Sequence, residues 1–182
     1  MGNGADLQLY HDSNNSYIDN AQGNLYIRDT AGDIILQAKT DEHSIICKDD
    51  GSVDIYHDNT KKFETTAAGI TVTGTAIATT DTDTSNTGNV TLDFAANQNF
   101  VLTLTGNTTL VNPSTEQVGQ SGFIACIQDG TGSRTLSLGT DYETAGTAGI
   151  TLTTTAAATD LIPYLVVAAG RILLGQPQLA FA

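Results

Sequence analysis

Two triplets, Tyr10-His11-Asp12 and Tyr56-His57-Asp58, set a phenol, an imidazole and a carboxylate side by side at two places in the chain. Imidazoles with nearby carboxylates can hold a transition metal, and copies of one histidine would converge if several chains met around an axis. The same residues also serve a plainer purpose. Each triplet closes a short alternating segment and opens a polar one, where His and Asp shape a turn and Tyr packs its ring. The reading is therefore no metal and no cofactor, with His11 and His57 as the residues to watch. His43 follows Asp41-Glu42 and reads as a solvated turn residue.

Carboxylates are plentiful enough to raise hydrolysis of a polysaccharide. A glycosidase needs two carboxyls held roughly 5 to 9.5 Å apart in a cleft. The pairs Asp141/Glu143 and Asp49/Asp50 lie in turn-like segments where acidic residues are expected in any case. No nucleophile elbow, phosphate loop, HExxH or CxxC occurs, and neither the glycine-rich start from Gly2 nor Gly130 to Ser133 joins a strand to a helix. The segment Asp81 to Gly88 lacks the Gly and Glu of a calcium loop. A non-enzymatic protein is expected. The groups suited to recognition are Asp129, Arg134, Asp141, Tyr142 and Glu143, polar and aromatic residues in loops that could meet a glycan or a protein partner.

The elements that carry these residues are short. From Asp6 to Thr73 apolar residues fall into groups of two or three about every nine residues, among them Leu7/Leu9, Leu25/Ile27, Ile45/Ile46, Val53/Ile55 and Ile70/Val72, separated by turn compositions such as Ser-Asn-Asn and Asp-Asp-Gly. Leu7 to Asp12 repeats in Val53 to Asp58 in pattern, with the closing Tyr-His-Asp identical. Residues 76–88 are small and polar, rich in Thr and Asp, and read as an extended connector. From residue 89 the runs lengthen: Val90 to Phe94, Phe100 to Leu104, Thr109 to Val111, Phe123 to Ile127, Thr135 to Leu138, Ile150 to Leu152, Leu161 to Val167, Ile172 to Leu174 and Leu179 to Phe181. Their spacing predicts a β-sandwich or jelly-roll-like head over residues 89–182.

Composition sets the outer bounds. Seven Lys and Arg against 20 Asp and Glu give a net charge of −13, which repels nucleic acid and anionic lipid. No apolar run reaches the length of a membrane span, and the first residues lack the basic and apolar segments of a secretory leader or a full myristoylation motif. Cys47 and Cys126 sit in apolar runs in different halves and read as reduced, buried residues.

Energetics adds a further expectation for residues 1–75. Each strand there offers two or three apolar side chains at roughly 1.5 to 3 kcal/mol apiece when fully buried. Ordering costs on the order of 1 to 2 kcal/mol per residue. Such units become stable by stacking or by meeting copies of themselves.

The phrases from Gly4 to Ile18, Asn24 to Ala38 and Gly51 to Thr75 resemble the repeat module of fibre proteins of tailed bacteriophages, especially marine ones. Ser121 to Glu143 followed by Thr147 to Gly175 is similar to a C-terminal module recurrent in phage tail and fibre proteins, where an aromatic pair commonly containing Trp stands near the position of Asp141-Tyr142-Glu143; here only Tyr142 stands. The resemblance implies a homotrimeric, non-enzymatic virion protein: an all-β fold with a short-strand repeat shaft, intertwined or stacked, followed by the head. The implied task is attachment to a host cell-surface glycan or protein, by three weak sites acting together, beside contacts with other virion proteins. A trimeric capsid decoration or spike protein is the alternative role, and a depolymerase is the third.

Overall fold

The computed structural model describes residues 6–181. The glycine-rich start from Gly2 to Ala5, for which neither phosphate binding nor acylation was expected, lies outside them. The chain forms two compact units, Met1–Ala76 and Ile77–Ala182, and is all-β; among the described residues the one helical element is the 3₁₀ turn Ala145–Thr147.

In the first unit β1 (Leu7–His11) and β2 (Ser16–Asn20) form an antiparallel hairpin. A five-stranded antiparallel meander follows: β3 (Ile34–Lys39), β4 (Glu42–Cys47), β5 (Val53–His57), β6 (Thr60–Thr66) and β7 (Gly69–Val72), each paired with the next. The strands are short because turn residues interrupt them. Between β5 and β6 the two linking residues have φ of 48° at Asp58 and 57° at Asn59, the double left-handed step of a two-residue hairpin turn that Asp and Asn tolerate best after Gly. Asn59 also ties this turn to the β3–β4 turn, accepting from His43 N–H at 2.7 Å and donating to Asp41 C=O at 2.8 Å. Ile46 is the one hydrophobic side chain among the described residues of this unit that is buried.

The second unit holds one eight-stranded sheet. Its strands are β8 (Thr80–Val90), β9 (Asn99–Leu110), β10 (Ser121–Gln128), β11 (Leu136–Leu138), β12 (Tyr142–Thr144), β13 (Thr159–Ala168), β14 (Arg171–Leu174) and β15 (Gln178–Phe181). The order is β11-β9-β10-β13-β14-β12, with β8 on β9 and β15 on β13. Strict alternation aims one face inward, and the register aligns the inward residues into rungs: Phe100 beside Ile124 beside Ile162, and Leu102 beside Cys126 beside Asp160. Tyr164, Val166, Ile172 and Leu174 extend the same face. Leu92, Phe94 and Leu152 join this core from irregular segments. Phe94, Phe100 and Tyr164 pack as an aromatic trio with ring centroids 5.0 to 6.3 Å apart.

Several features differ from what the sequence suggests, and the runs at Leu25/Ile27 and Ile150 to Leu152 lie in no strand. Residues 80–88, read as part of a connector, are extended and run in the sheet as most of β8, hydrogen-bonded in parallel to β9. Tyr142–Thr144 forms a strand where a turn was expected. The β8/β9, β9/β10, β9/β11 and β12/β14 pairs are parallel, whereas a jelly roll is built from antiparallel pairs. Both cysteines are free thiols; Cys126 is buried, which pushes its thiol up to about 12, and Cys47 is half-buried.

Candidate functional site

β12 lies at the end of the sheet order, parallel to β14, with Tyr142 opposite Ile172 and Glu143 opposite Leu173. Alternation sends the two side chains to opposite faces. Tyr142 turns inward and is 5% exposed, so the aromatic group expected at the surface belongs to the core. Its hydroxyl has no hydrogen-bond partner, and burial together with the carboxylates of Asp141 and Glu116 pushes its ionisation well above the usual phenol range. Glu143 turns outward to Arg171, which donates from Nε to Oε1 at 2.8 Å and from Nη2 to Oε2 at 2.9 Å. That fork holds the Glu143 carboxyl below its ordinary value.

The chain then folds back over the strand. Gly146, Thr147 and Gly149 all take positive φ, and Thr144 Oγ1 accepts the Gly149 N–H at 2.9 Å. On the other side Asn112 Nδ2 donates to Thr140 Oγ1 at 2.8 Å, and Asn112 Oδ1 accepts the Asp141 N–H at 3.1 Å. The result is a hollow of about 350 Å³ lined by Leu138, Thr140, Tyr142, Glu143, Thr144, Thr147 and Gly149. Threonine hydroxyls around a carboxylate–guanidinium fork can exchange hydrogen bonds with a hydroxyl-rich ligand. The fork is poorly suited to acid catalysis, because a catalytic acid needs its pKa raised and Arg171 lowers that of Glu143.

Asp129 and Arg134 come together as expected of neighbours across a turn, but they face each other. Arg134 Nη2 donates to Asp129 Oδ2 at 2.8 Å, and Asp129 Oδ1 accepts the Thr131 and Gly132 N–H groups at 3.0 and 2.9 Å. The Gln128 side chain brackets the Arg134 backbone, accepting its N–H at 2.8 Å and donating to its C=O at 2.9 Å. The Arg134 guanidinium is the main reason the Asp129 carboxyl falls to about 2. The pair builds the β10–β11 turn.

The two triplets also shape turns. Asp12 accepts the N–H groups of Asn14 and Asn15 at 3.0 and 2.8 Å and the Tyr17 hydroxyl at 2.8 Å, contacts that lower its pKa. Tyr10 stacks on Tyr17 with centroids 4.8 Å apart. His11 lies 3.2 Å from the Ser16 hydroxyl, and His57 ends β5 opposite Thr60. No group of three potential metal ligands is found among the described residues. His43 is a half-buried residue inside β4, with its ring 5.9 Å from that of Tyr56, and not the solvated turn residue the sequence suggests. The sequence singled out Glu143 but not its ion-pair partner Arg171, 28 residues away, nor the hydroxyls of Thr140, Thr144 and Thr147. Threonine is too common in this chain to single those out, though Gly146 and Gly149 flank a segment needing left-handed backbone.

The sheet-based second unit carries a hollow of mixed polar and apolar lining beside β12. Residues 84–170 match the family described as "Putative phage tail fibre C-terminal domain", a span from β8 to the turn after β13. That match supports reading the chain as the C-terminal part of a bacteriophage tail fibre with a place in the virion, and the family it points to is generally structural. Searches of curated proteins and of solved structures each gave no match. No helix among the described residues is long and apolar enough to cross a membrane.

Proposed function

We propose that this fibre protein attaches the virion to a bacterial surface by non-catalytic binding, as a homotrimer whose shaft spans residues 1–75 and whose head spans residues 89–182. The observation that carries the reading is the hollow beside β12, which lies within the tail-fibre domain of residues 84–170. Its ligand in this reading is a surface glycan, whose hydroxyls suit Thr140, Thr144, Thr147 and the Glu143–Arg171 fork. Three such sites on one particle raise avidity by about 10² to 10⁴ over a single site.

The test is cosedimentation of fluorescently labelled protein with a panel of marine bacterial strains. Saturable pelleting with particular strains is expected, and the Glu143→Ala/Thr144→Val double substitution should weaken it at least tenfold without altering the strand signal in circular dichroism. Absence of pelleting across the panel, or pelleting untouched by the double substitution, would rule out attachment through this hollow.

A further inference from the structure

The five-stranded sheet of the first unit is inverted relative to a self-sufficient domain. Its register places Leu36, Ile45, Ile55, Phe63 and Val72 in one row across all five strands. A second row on the same face, two residues along, holds Ile34, Cys47, Val53, Thr65 and Ile70. Neither row contains a charged residue. Yet this apolar face is the open one: Leu36, Val53, Ile55, Ile70 and Val72 are 37 to 64% exposed. The opposite face carries the charges, beside a single apolar pair, Ile35 and Ile46. There Asp54, 0% exposed, accepts Lys48 Nζ at 2.8 Å and the Ser52 hydroxyl at 2.6 Å, while Lys61 lies 3.6 Å from it and also pairs with Glu64.

A sheet of this kind needs a cover. The five open side chains alone leave on the order of 400 Å² of apolar surface in water, which is as large as the biggest patch on an ordinary monomer. That is about half of the roughly 800 Å² each partner contributes to a standard interface, before Ile34, Ile45, Cys47 and Phe63 are counted. With Ile46 as the one buried hydrophobic side chain among its described residues, the unit has no other core to order it. The cover must therefore be present whenever the chain folds, a condition that a second copy of the chain meets. A glycan is a poor cover, since the rows offer it one hydroxyl, that of Thr65, which already accepts the Val53 N–H. Charge argues the same way: copies that each carry −13 can approach closely only through a face without charge.

We propose that the apolar face of β3 to β7 is the surface through which copies of this chain associate, with the row from Leu36 through Ile55 to Val72 running across it and Cys47 sealed inside the contact. The inference deepens the self-associating shaft reading and rests on it, but it is independent of what the head binds.

The experiment combines light scattering with thiol labelling of the full chain. Cys126 is buried in the second unit, so a thiol reagent reports Cys47. The wild-type protein should have a mass of several chains and should label at Cys47 at least tenfold more slowly than the Ile55→Asp/Val72→Asp protein, which should have the mass of one chain. Thr71→Lys, placed on the opposite face across from Glu64, should keep the wild-type mass and labelling rate. A wild-type protein with the mass of one chain overturns both this inference and the self-associating shaft. A multi-chain mass with Cys47 labelled as fast as an unfolded thiol, or a mass unmoved by the two aspartates, overturns the inference alone and leaves the fibre reading standing. If the double substitution abolishes the strand signal, the wild-type labelling rate compared with that in urea decides by itself. Failure to pellet with any bacterium would overturn the attachment reading and leave this one untouched.

Discussion

At Asp129 the carboxylate takes two N–H groups of its own turn and the guanidinium of Arg134, so its ionised form is favoured by folding. Its pKa falls from 3.8 to about 2, the depressed case, so the contribution to stability is fully present above about 4 and lost as the pH falls toward about 2. Asp129→Asn should therefore lower stability at pH 7 and flatten the acid limb between about pH 4 and 2, as read from thermal melts of the wild-type and substituted proteins across that window. This residue was legible in the sequence as a polar group at a Gly-rich turn, but not its use, because a carboxylate serving its own backbone looks the same in one dimension as one awaiting a ligand. Tyr142 was misplaced for a related reason. Its neighbours Asp141 and Glu143 give a polar stretch that reads as a turn, yet polar–apolar–polar is also the alternation of a strand with one buried side chain, and pairing with Ile172 decides for the strand. Glu143 was singled out as a polar loop residue, while its pairing with Arg171 depends on β12 and β14 lying side by side, a long-range fact no local pattern carries.

The strands of the first unit were legible because each hairpin prints its own turn, and Asp58-Asn59 is the clearest case. Asn59 serves twice, through a left-handed backbone and through two side-chain hydrogen bonds to the neighbouring turn. Asn59→Gly keeps the backbone and loses the bonds, whereas Asn59→Ala loses both. Ala should thus melt below Gly by about 1 kcal/mol, the cost of placing a Cβ residue in that region, and Gly should melt below the wild type by about 1 to 2 kcal/mol for the lost bonds; urea melts of the three proteins at one concentration provide the comparison. β8 shows the opposite situation. Thr80–Val90 holds no large apolar residue before its last position, so hydrophobic periodicity is silent. Its order comes instead from backbone pairing along β9, from β-branched Thr, and from buried Asn86, whose side chain donates to the C=O of Asp83 and of Thr103 at 3.1 Å each. Polar composition suits its place at a sheet edge, where charged side chains discourage unwanted pairing.

For the molecule as a whole, an open apolar sheet face and a net charge of −13 pull association in opposite directions. The apolar contact is insensitive to moderate salt, whereas the repulsion between copies acts over a Debye length of about 30 Å at 10 mM ionic strength and about 8 Å at 150 mM. Added salt therefore removes the opposing term and leaves the favourable one. The dissociation midpoint in urea, a non-ionic denaturant, should rise between 10 and 150 mM NaCl, and should also rise with chain concentration because a folded state that exists only in association is stabilised by mass action. The Ile55→Asp/Val72→Asp protein, in which the apolar term has been removed and the charge of each copy made more negative, should show no dissociation transition at either salt concentration. A midpoint in the wild-type protein that ignores both salt and chain concentration would mean that each sheet is stable by itself, and the apolar rows from Leu36 to Val72 would then need a cover from within the same chain.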